Sequence, residues 1–333
     1  MNLFLCTTPL QLFIAHRIIK ELDICNKEAC FIYIGCNNNK AIKNSITNIE
    51  NLGFNIKHLQ IKKEKQKNHK KYLNSISLHA RLLSIFFHKK YNAVYLASID
   101  QKVFYFILSW IKFDNLFTFD DGTANIFPNS PYYRRKETRL KRKVKNYILG
   151  IKYDMSKIKT KSQLHYTLYK GYKNIIEKTQ HISLTENVKE TKNLPVSKKN
   201  SCSVILGTVY REAFKKNIDI EHIVTKCINH VREKNNNFYY IPHPRDESNL
   251  NIEKQFILLP DTIAEKEIEK LLEKFDSVSI YSFISSCQFN LNSNKRISNS
   301  VFFSAGMSSA IKEVINSELL PRNFKIIDIE NLK

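Results

Sequence analysis

The sequence predicts an α/β protein of two domains, each built on a parallel β-sheet flanked by helices. Short apolar runs alternate with helical stretches in the first half of the chain, and a second such series follows a polar segment. The chain has 333 residues, enough for two domains, and its hydrophobic fraction of 43% can fill two cores. We expect an N-terminal domain over residues 1–186, a linker over 187–200 and a C-terminal domain over 201–333.

In the first half, apolar runs are predicted to form strands, with helices between them. The strands are Asn2–Cys6, Ala29–Ile34, Phe54–Leu59, Ala93–Ala97 and Asn115–Phe119. The helices are Leu10–Leu22, Ser75–Phe87 and Lys102–Ile111. The last strand runs directly into Asp120-Asp121-Gly122. The acidic pair is therefore expected at the carboxyl end of a strand, where open α/β sheets bind their ligands.

The second half repeats this alternation. The predicted strands are Ser203–Leu206, Phe238–Ile241, Ser277–Tyr281, Ser300–Phe303 and Lys325–Ile329, and the helices are Asp219–Glu233 and Thr262–Phe275. Two α/β halves joined by a linker are typical of enzymes that bind a nucleotide sugar in the cleft between domains. The chain contains no GxGxxG and no GxxxxGK[ST] string, so dinucleotide and P-loop chemistry have no support.

The charge of the chain favours anionic partners. Lys and Arg number 53 against 31 acidic residues, a formal net charge of +22. The most basic stretch, Tyr132–Lys145, holds eight Lys or Arg and one acid. Leu140, Val144, Tyr147 and Ile148 fall on one stripe at helical spacing, so we expect an amphipathic basic helix, either a solvated face or a contact with an anionic membrane.

The spacing of the cysteines and the length of the apolar segments indicate the cellular compartment. The seven cysteines form an odd set without a C-x-x-C pair, which favours free thiols in a reducing cytoplasm. No segment reaches the roughly 18 to 20 apolar residues of a membrane span. We expect a cytoplasmic protein that contacts a membrane, if at all, at its inner surface.

Polar clusters at the ends of predicted strands contain the candidate catalytic and binding residues. Adjacent Asp120 and Asp121 point in different directions from a turn, so one carboxylate can accept a proton or hold a sugar hydroxyl while the other caps the next segment. His243 is held between two prolines after a strand and can donate to a phosphate, to which Arg245 adds a bidentate fork. A third cluster offers hydroxyl groups and backbone N–H groups to a phosphate: Ser282, Ser285 and Ser286.

In this order, the motifs resemble those of glycosyltransferase family 52, the bacterial lipooligosaccharide sialyltransferases, over nearly the whole chain. The strings that carry the resemblance are Cys6-Thr7-Thr8-Pro9-Leu10-Gln11, Val94-Tyr95-Leu96-Ala97-Ser98, Thr118-Phe119-Asp120-Asp121-Gly122-Thr123-Ala124-Asn125, His165-Tyr166-Thr167-Leu168-Tyr169-Lys170-Gly171-Tyr172-Lys173-Asn174-Ile175, Ile205-Leu206-Gly207, Pro242-His243-Pro244-Arg245 and Ser285-Ser286.

The resemblance implies a GT-B-like architecture of two Rossmann-type domains with parallel sheets facing a central cleft. It also implies an inverting, metal-independent homodimer without a cofactor, which moves sialic acid from CMP-sialic acid to a terminal sugar, expected to be galactose, of a lipooligosaccharide or similar surface glycan. The N-terminal domain would serve the acceptor and the C-terminal domain the nucleotide sugar.

Site roles follow from the same resemblance. His243 would bind and protonate the leaving phosphate, with Arg245 and the serines beside it, and Glu265 would hold the cytidine ribose. Gly207 would belong to the donor site. The remaining motif residues would bind the acceptor or support the site: Gln11, Asp120, Gly122 and Asn125.

The general base is left open between two carboxylates. The family typically carries an Asp after the Ile205-Leu206-Gly207 strand, whereas this chain reads Thr208-Val209-Tyr210-Arg211-Glu212 there. The base is either Glu212, the nearest carboxylate, or Asp121, as in other GT-B sialyltransferases with a D-D-G motif.

Two other functions compete with this interpretation. A related transferase could move another sugar, such as glucose or Kdo, because donor choice depends on details of the pocket. A basic nucleic-acid-binding protein is disfavoured, because the aromatic residues lie in apolar strand patterns and are not interleaved with the Lys and Arg runs. We therefore expect no nucleic-acid partner.

Overall fold

The computed structural model describes residues 1–35, 39–61, 80–133, 144, 146–184 and 200–332. The chain divides into two compact units, Met1–Leu184 (unit 1) and Thr185–Lys333 (unit 2). Each unit is built around one sheet whose strand pairs are all parallel. The α/β class with two Rossmann-type sheets is confirmed.

The sheet of unit 1 has the order β3-β2-β1-β4-β5-β6-β7. Its strands are β1 Asn2–Cys6, β2 Ala29–Gly35, β3 Asn55–Gln60, β4 Lys90–Leu96, β5 Lys112–Phe119, β6 Leu164–Thr167 and β7 Thr179–His181. The central strand β1 is buried from Leu3 onward, as expected for a parallel strand covered on both faces. The order of the strands reverses between β1 and β4, so the ligand-binding switch point of this sheet lies at their carboxyl ends.

The helices of unit 1 are α1 Pro9–Glu21, α2 Lys40–Asn51, α3 Lys102–Trp110 and α4 Met155–Lys161, and residues 80–86 are also helical. Helix α1 begins where Thr8 accepts a hydrogen bond from the Gln11 N–H, with Pro9 in the first turn, where its missing N–H costs nothing. Strands β6 and β7 and helices α2 and α4 were not predicted. The predicted helix over Ser75–Phe87 is present over residues 80–86, and residues 75–79 lie outside the described residues.

The sheet of unit 2 has the order β12-β11-β10-β8-β9. Its strands are β8 Ser201–Leu206, β9 Phe238–Ile241, β10 Ser277–Ser282, β11 Ile297–Phe303 and β12 Lys325–Asp328. Its helices are α5 Tyr210–Ala213, α6 Ile220–Lys234, α7 Ala264–Lys274, α8 Ser286–Asn290 and α9 Ser309–Ile315. This is the flavodoxin-like order, and its switch point lies between β8 and β10.

The prediction of a basic helix is wrong at its start. Tyr132 and Tyr133 lie in a turn, and Tyr132 is 5% exposed. Residues 134–143 and 145 lie outside the described residues, and residues 144 and 146–148 are helical. In the described ranges no helix has the length and apolar character needed to cross a bilayer. The six described cysteines are free thiols.

Candidate active site

Asp121 lies at the switch point of unit 1, where the ends of three strands meet. Its carboxylate accepts hydrogen bonds from Gln11 Nε2 at 2.5 Å, Ser98 Oγ at 2.9 Å and Tyr132 OH at 2.7 Å. Gln11 is held in turn by Ser98 Oγ at 2.8 Å and by the Thr7 N–H, which donates to its Oε1 at 2.6 Å. A carboxylate has about four lone-pair positions, so three donors leave room for one further hydroxyl group.

The turn after Asp121 is stabilised by Gly122 and by the hydrogen bonds of Asn125. Gly122 has a positive φ of 69°, a conformation that glycine adopts without steric cost. The side chain of Asn125 is fully buried and its Oδ1 accepts the Asp121 N–H at 3.1 Å. Tyr133 OH donates to the Asn125 carbonyl at 2.8 Å. These contacts hold Asp121 in one orientation, and they place Gln11, Gly122 and Asn125 in its support.

Tyr132 is a site residue that sequence analysis missed, because it was assigned to the basic segment. Burial is the main cause that raises the pKa of Tyr132 far above its ordinary value, and the charge and hydrogen bond of Asp121 raise it further. Tyr132 therefore stays a protonated donor to Asp121. Lys159 Nζ donates to the Tyr132 carbonyl at 2.5 Å and fixes the backbone of this turn.

Asp120 faces the other way from Asp121 and is fully buried. It accepts hydrogen bonds from His165 Nε2 at 2.9 Å, Thr167 Oγ1 at 2.8 Å and the Leu168 N–H at 2.6 Å. His165 Nδ1 also contacts Thr118 Oγ1 at 2.8 Å. Asp120 thus joins β5 to β6, and of the two roles expected for it, acceptor binding or support, the contacts favour support.

Replacing Asp120 with alanine is expected to lower the free energy of unfolding by about 3 to 5 kcal/mol, because His165, Thr167 and the Leu168 N–H all lose a buried partner. Urea unfolding measures this loss. The matched control is Asp114→Ala: its side chain is 58% exposed and pairs with Lys90 at 3.9 Å, so the change should stay below about 1 kcal/mol. Equal stability of the two variants would contradict a supporting role for Asp120.

His243 follows β9 in unit 2 and lies against the end of β8. Its imidazole is half-buried, and Nδ1 accepts the Arg245 N–H at 3.2 Å. In the neutral ring the proton then resides on Nε2, and no described residue accepts it, so it can be donated to a ligand. Burial, and next the charge of Arg245, lower the pKa of His243 below its ordinary value, against smaller opposite effects of Asp246 and Glu212.

Arg245 and Glu212 are exposed side chains beside His243. Arg245 Nη2 lies 3.6 Å from Glu212 Oε2, and their side chains are 64% and 57% exposed. Such an exposed pair contributes little to stability. Arg245 is thus available to an anion, while Glu212 is held less firmly than Asp121.

Gly207 lets the ends of β8 and β9 approach each other. A Cβ at this position would lie 2.5 Å from the Tyr240 hydroxyl oxygen and 3.1 Å from the His243 backbone nitrogen. The Tyr240 hydroxyl is fixed by Tyr210 OH at 3.1 Å. Gly207 therefore shapes the backbone on which His243 stands.

Replacing Gly207 with alanine should lower turnover about tenfold or more, because overpacking costs about 1 to 3 kcal/mol and displaces the His243 segment. Adding Tyr240→Phe to Gly207→Ala removes the nearest oxygen and should restore part of the loss. Steady-state rates of the single and double variants test this. Wild-type turnover in Gly207→Ala would contradict the assigned role.

The serine cluster forms a strained turn after β10. Ile284 has a φ of 85°, a left-handed conformation that is costly for a β-branched residue and recurs at functional sites. Ser282 is 1% exposed, donates to Gln288 Oε1 at 2.6 Å and accepts the Ile284 N–H at 3.0 Å, so it supports the turn. Ser285 caps α8 by accepting the Cys287 N–H at 3.3 Å, and Ser285 and Ser286 are partly exposed.

Glu265, in the first turn of α7, is joined to α8 beside this serine turn. It is 5% exposed, and Asn290 Nδ2 donates to its Oε1 at 2.8 Å. Burial raises the pKa of Glu265, against the hydrogen bond from Asn290, and the charge of Glu265 helps to raise the pKa of Cys287 in α8. A buried carboxylate at the carboxyl side of a parallel sheet is a suitable acceptor for sugar hydroxyl groups.

The sequence model of glycosyltransferase family 52 matches residues 26–301, most of the chain. The chain belongs to glycosyltransferase family 52. The resemblance found in the motifs is thereby confirmed, and the protein is a glycosyltransferase. Within the part of this family 52 chain that the structure describes, no three His, Cys, Asp or Glu side chains are grouped so that they could hold a metal ion.

Curated relatives of this family 52 protein carry sialyltransferase names. It is 32% identical over 257 residues to the CMP-N-acetylneuraminate:beta-galactoside alpha-2,3-sialyltransferase of Pasteurella multocida, covering 75% of each chain. It is 28% identical over 300 residues to the N-acetyllactosaminide alpha-2,3-sialyltransferase of Haemophilus influenzae, covering 89% of this chain and 90% of that one.

Solved structures share the fold of this family 52 protein. A Photobacterium 2,6-sialyltransferase, crystallised with CMP and lactose, has a TM-score of 0.51 at 15% identity. The match covers 98% of this chain and 78% of the Photobacterium chain. The glycosyltransferase of kitacinnamycin has a TM-score of 0.52 at 8% identity, covering 100% and 87%. At such identities the likeness concerns the fold alone, and the GT-B-like class of two Rossmann-type units is confirmed.

Proposed function

We propose that this protein transfers sialic acid from CMP-sialic acid to a terminal galactose of a lipooligosaccharide or similar surface glycan, with inversion and in α-2,3 linkage. Family membership supports glycosyl transfer. The donor, the galactoside acceptor and the linkage are taken from the names of the Pasteurella and Haemophilus relatives, and the lipooligosaccharide is what the resemblance of the motifs implies. The predicted cytoplasmic location, homodimer and metal independence stay predictions.

The donor site we propose is the carboxyl edge of the unit 2 sheet. The observation that carries it is the Nε2–H of His243, which has no hydrogen-bond partner among the described residues and lies next to the exposed charge of Arg245, close to the end of β8 at the switch point. These groups can bind the phosphate, together with the hydroxyl groups of Ser285 and Ser286. Glu265 would accept hydrogen bonds from the ribose, and Ser282 and Gly207 would hold the backbone around it.

The base we propose is Asp121 in unit 1, with Glu212 as the competing carboxylate. Three donors fix the Asp121 carboxylate and leave one acceptor position, which suits the hydroxyl group of an acceptor sugar. Glu212 is exposed and engaged with Arg245, so its position is less defined. Unit 1 would thus serve the acceptor and unit 2 the donor.

The reaction we propose is a single displacement. The acceptor oxygen attacks the anomeric carbon while its proton passes to the base, and the bond from that carbon to the phosphate oxygen breaks with its electron pair going to CMP. The transition state resembles an oxocarbenium ion, as in glycoside hydrolysis. His243, Arg245 and the serines stabilise the charge that grows on the phosphate.

Donor hydrolysis tests this proposal most simply. The purified protein, incubated without acceptor, should release CMP from CMP-sialic acid and should not cleave UDP-glucose or CMP-Kdo. Addition of lactose should accelerate CMP release and yield a sialylated product, whose linkage NMR can assign. Cleavage of UDP-glucose or CMP-Kdo in preference to CMP-sialic acid would overturn the proposed donor.

A further inference from the structure

An exposed apolar patch lies at the edge of unit 1 that is remote from Asp121. Tyr147, Ile148 and Phe87 are 87%, 77% and 54% exposed, and Trp110 is partly exposed. Strands β4 and β5 begin at Lys90 and Lys112, next to this patch, whereas Asp121 follows the other end of β5. The patch, defined here as Phe87, Trp110, Tyr147 and Ile148, is therefore separate from the site described above.

Backbone contacts hold the patch together. The helical turn at residues 146–148 ends with the Gly150 N–H bonded to the Tyr147 carbonyl and the Ile151 N–H to the Asn146 carbonyl, and Gly150 has a φ of 63°. Trp110 Nε1 donates to the Leu149 carbonyl at 3.3 Å. The centroid of the Trp110 ring lies 5.8 Å from the centroid of the Phe87 ring. Aromatic and aliphatic side chains are thus presented on a fixed backbone.

Basic residues surround this patch. Lys89, Lys112 and Lys152 are exposed. The Lys112 N–H donates to the Lys89 carbonyl, and the Lys152 N–H donates to the hydroxyl group of Ser109, beside Trp110. In sequence, the eight Lys and Arg residues of 132–145 lead directly into Tyr147 and Ile148. Apolar and amphipathic aromatic side chains within a cationic rim are the composition that binds an anionic lipid interface.

We propose that this patch inserts into the surface of an anionic phospholipid bilayer. A second copy of the chain is a poorer occupant, because a twofold contact at the patch would bring the exposed Lys89, Lys112 and Lys152 of both copies together. Four side chains are also fewer than the roughly 20 to 30 residues that a stable interface uses on each side. The proposal is independent of the donor chemistry.

Trp110 is the only tryptophan of the chain, so its fluorescence reports on this patch directly. On mixing with vesicles of phosphatidylcholine containing about a third phosphatidylglycerol, Trp110 emission should shift to the blue, and lipids brominated on the acyl chain should quench it. Vesicles of phosphatidylcholine alone should have little effect, and salt near 1 M should weaken binding, because the Debye length then falls to about 3 Å.

Replacing both Tyr147 and Ile148 with serine should lower the partition coefficient to anionic vesicles about tenfold or more. The matched control is Ile326→Ser, which removes a side chain that is 52% exposed in unit 2 and should bind vesicles as the wild type does. Transfer to a soluble acceptor should be unchanged in the double variant. A loss of vesicle binding can therefore be distinguished from a failure of the proposed enzyme activity. Unchanged vesicle binding in the double variant, or a halving of its mass in sedimentation, would overturn the proposal.

Discussion

Replacing His243 with alanine is expected to lower the turnover of CMP-sialic acid about 100- to 10,000-fold while unit 2 stays folded. The variant removes the Nε2–H donor from the phosphate of the leaving CMP, and the remaining groups, Arg245 and the serines, cannot replace it. Initial rates with saturating acceptor measure the loss. The matched control is His222→Ala, an exposed histidine on α6, which should keep wild-type rates.

Proton uptake on CMP binding is a second test of the contact between His243 and the phosphate. Because burial and Arg245 lower the pKa of His243, the free protein holds it largely neutral at pH 7. A phosphate dianion beside the ring favours its charged form and raises its pKa, so CMP binding should take up a fraction of a proton. Calorimetry in two buffers of different ionisation enthalpy detects this uptake, which His243→Gln should abolish. If the uptake persists in His243→Gln, another group contacts the phosphate.

Replacing Asp121 with asparagine is expected to lower turnover by a similar factor, about 100- to 10,000-fold, because the amide cannot take a proton from the acceptor hydroxyl. The affinity for CMP should stay near that of the wild type, since the proposed nucleotide groups all belong to unit 2. Single-turnover rates and CMP titration separate these two effects.

Two further variants locate the base. Glu212→Gln should cost far less turnover than Asp121→Asn. Tyr132→Phe, which removes one donor to Asp121, should lower turnover about tenfold, since a hydrogen bond to a charged group contributes about 1.5 to 3 kcal/mol. A large loss in Glu212→Gln with a small one in Asp121→Asn would move the base to unit 2, and small losses in both would contradict a carboxylate base.

The strands were predictable from sequence where burial on both faces makes them apolar throughout. NLFLC in β1 and SVIL within β8 show this pattern. Strands β6 and β7 were missed because LHYT and TQH are short and contain polar His, Thr and Gln residues. Strand β6 pairs with β5 and β7, and its His165 and Thr167 also bond to Asp120 after β5, which are contacts that the local sequence does not show. Helix α2 was missed because its asparagine-rich sequence is a weak helix former.

The sequence motifs of the site could be predicted, but the orientation of the individual side chains could not. Sequence placed both aspartates at the end of β5, but it could not show which carboxylate is buried, because the partners of Asp120 follow more than forty residues later. Tyr132 was hidden by the charged residues after it. Its contact with Asp121 depends on a turn closed by Asn125 and Lys159, which no local pattern specifies.

A crystal structure with bound CMP tests the central claim most directly, namely that the carboxyl edge of the unit 2 sheet is the nucleotide site. We expect the phosphate within hydrogen-bond distance of His243 Nε2 and of the Ser285 and Ser286 hydroxyl groups, and the ribose hydroxyl groups on Glu265. CMP bound at any other surface, with His243 and Glu265 left without ligand, would contradict the account.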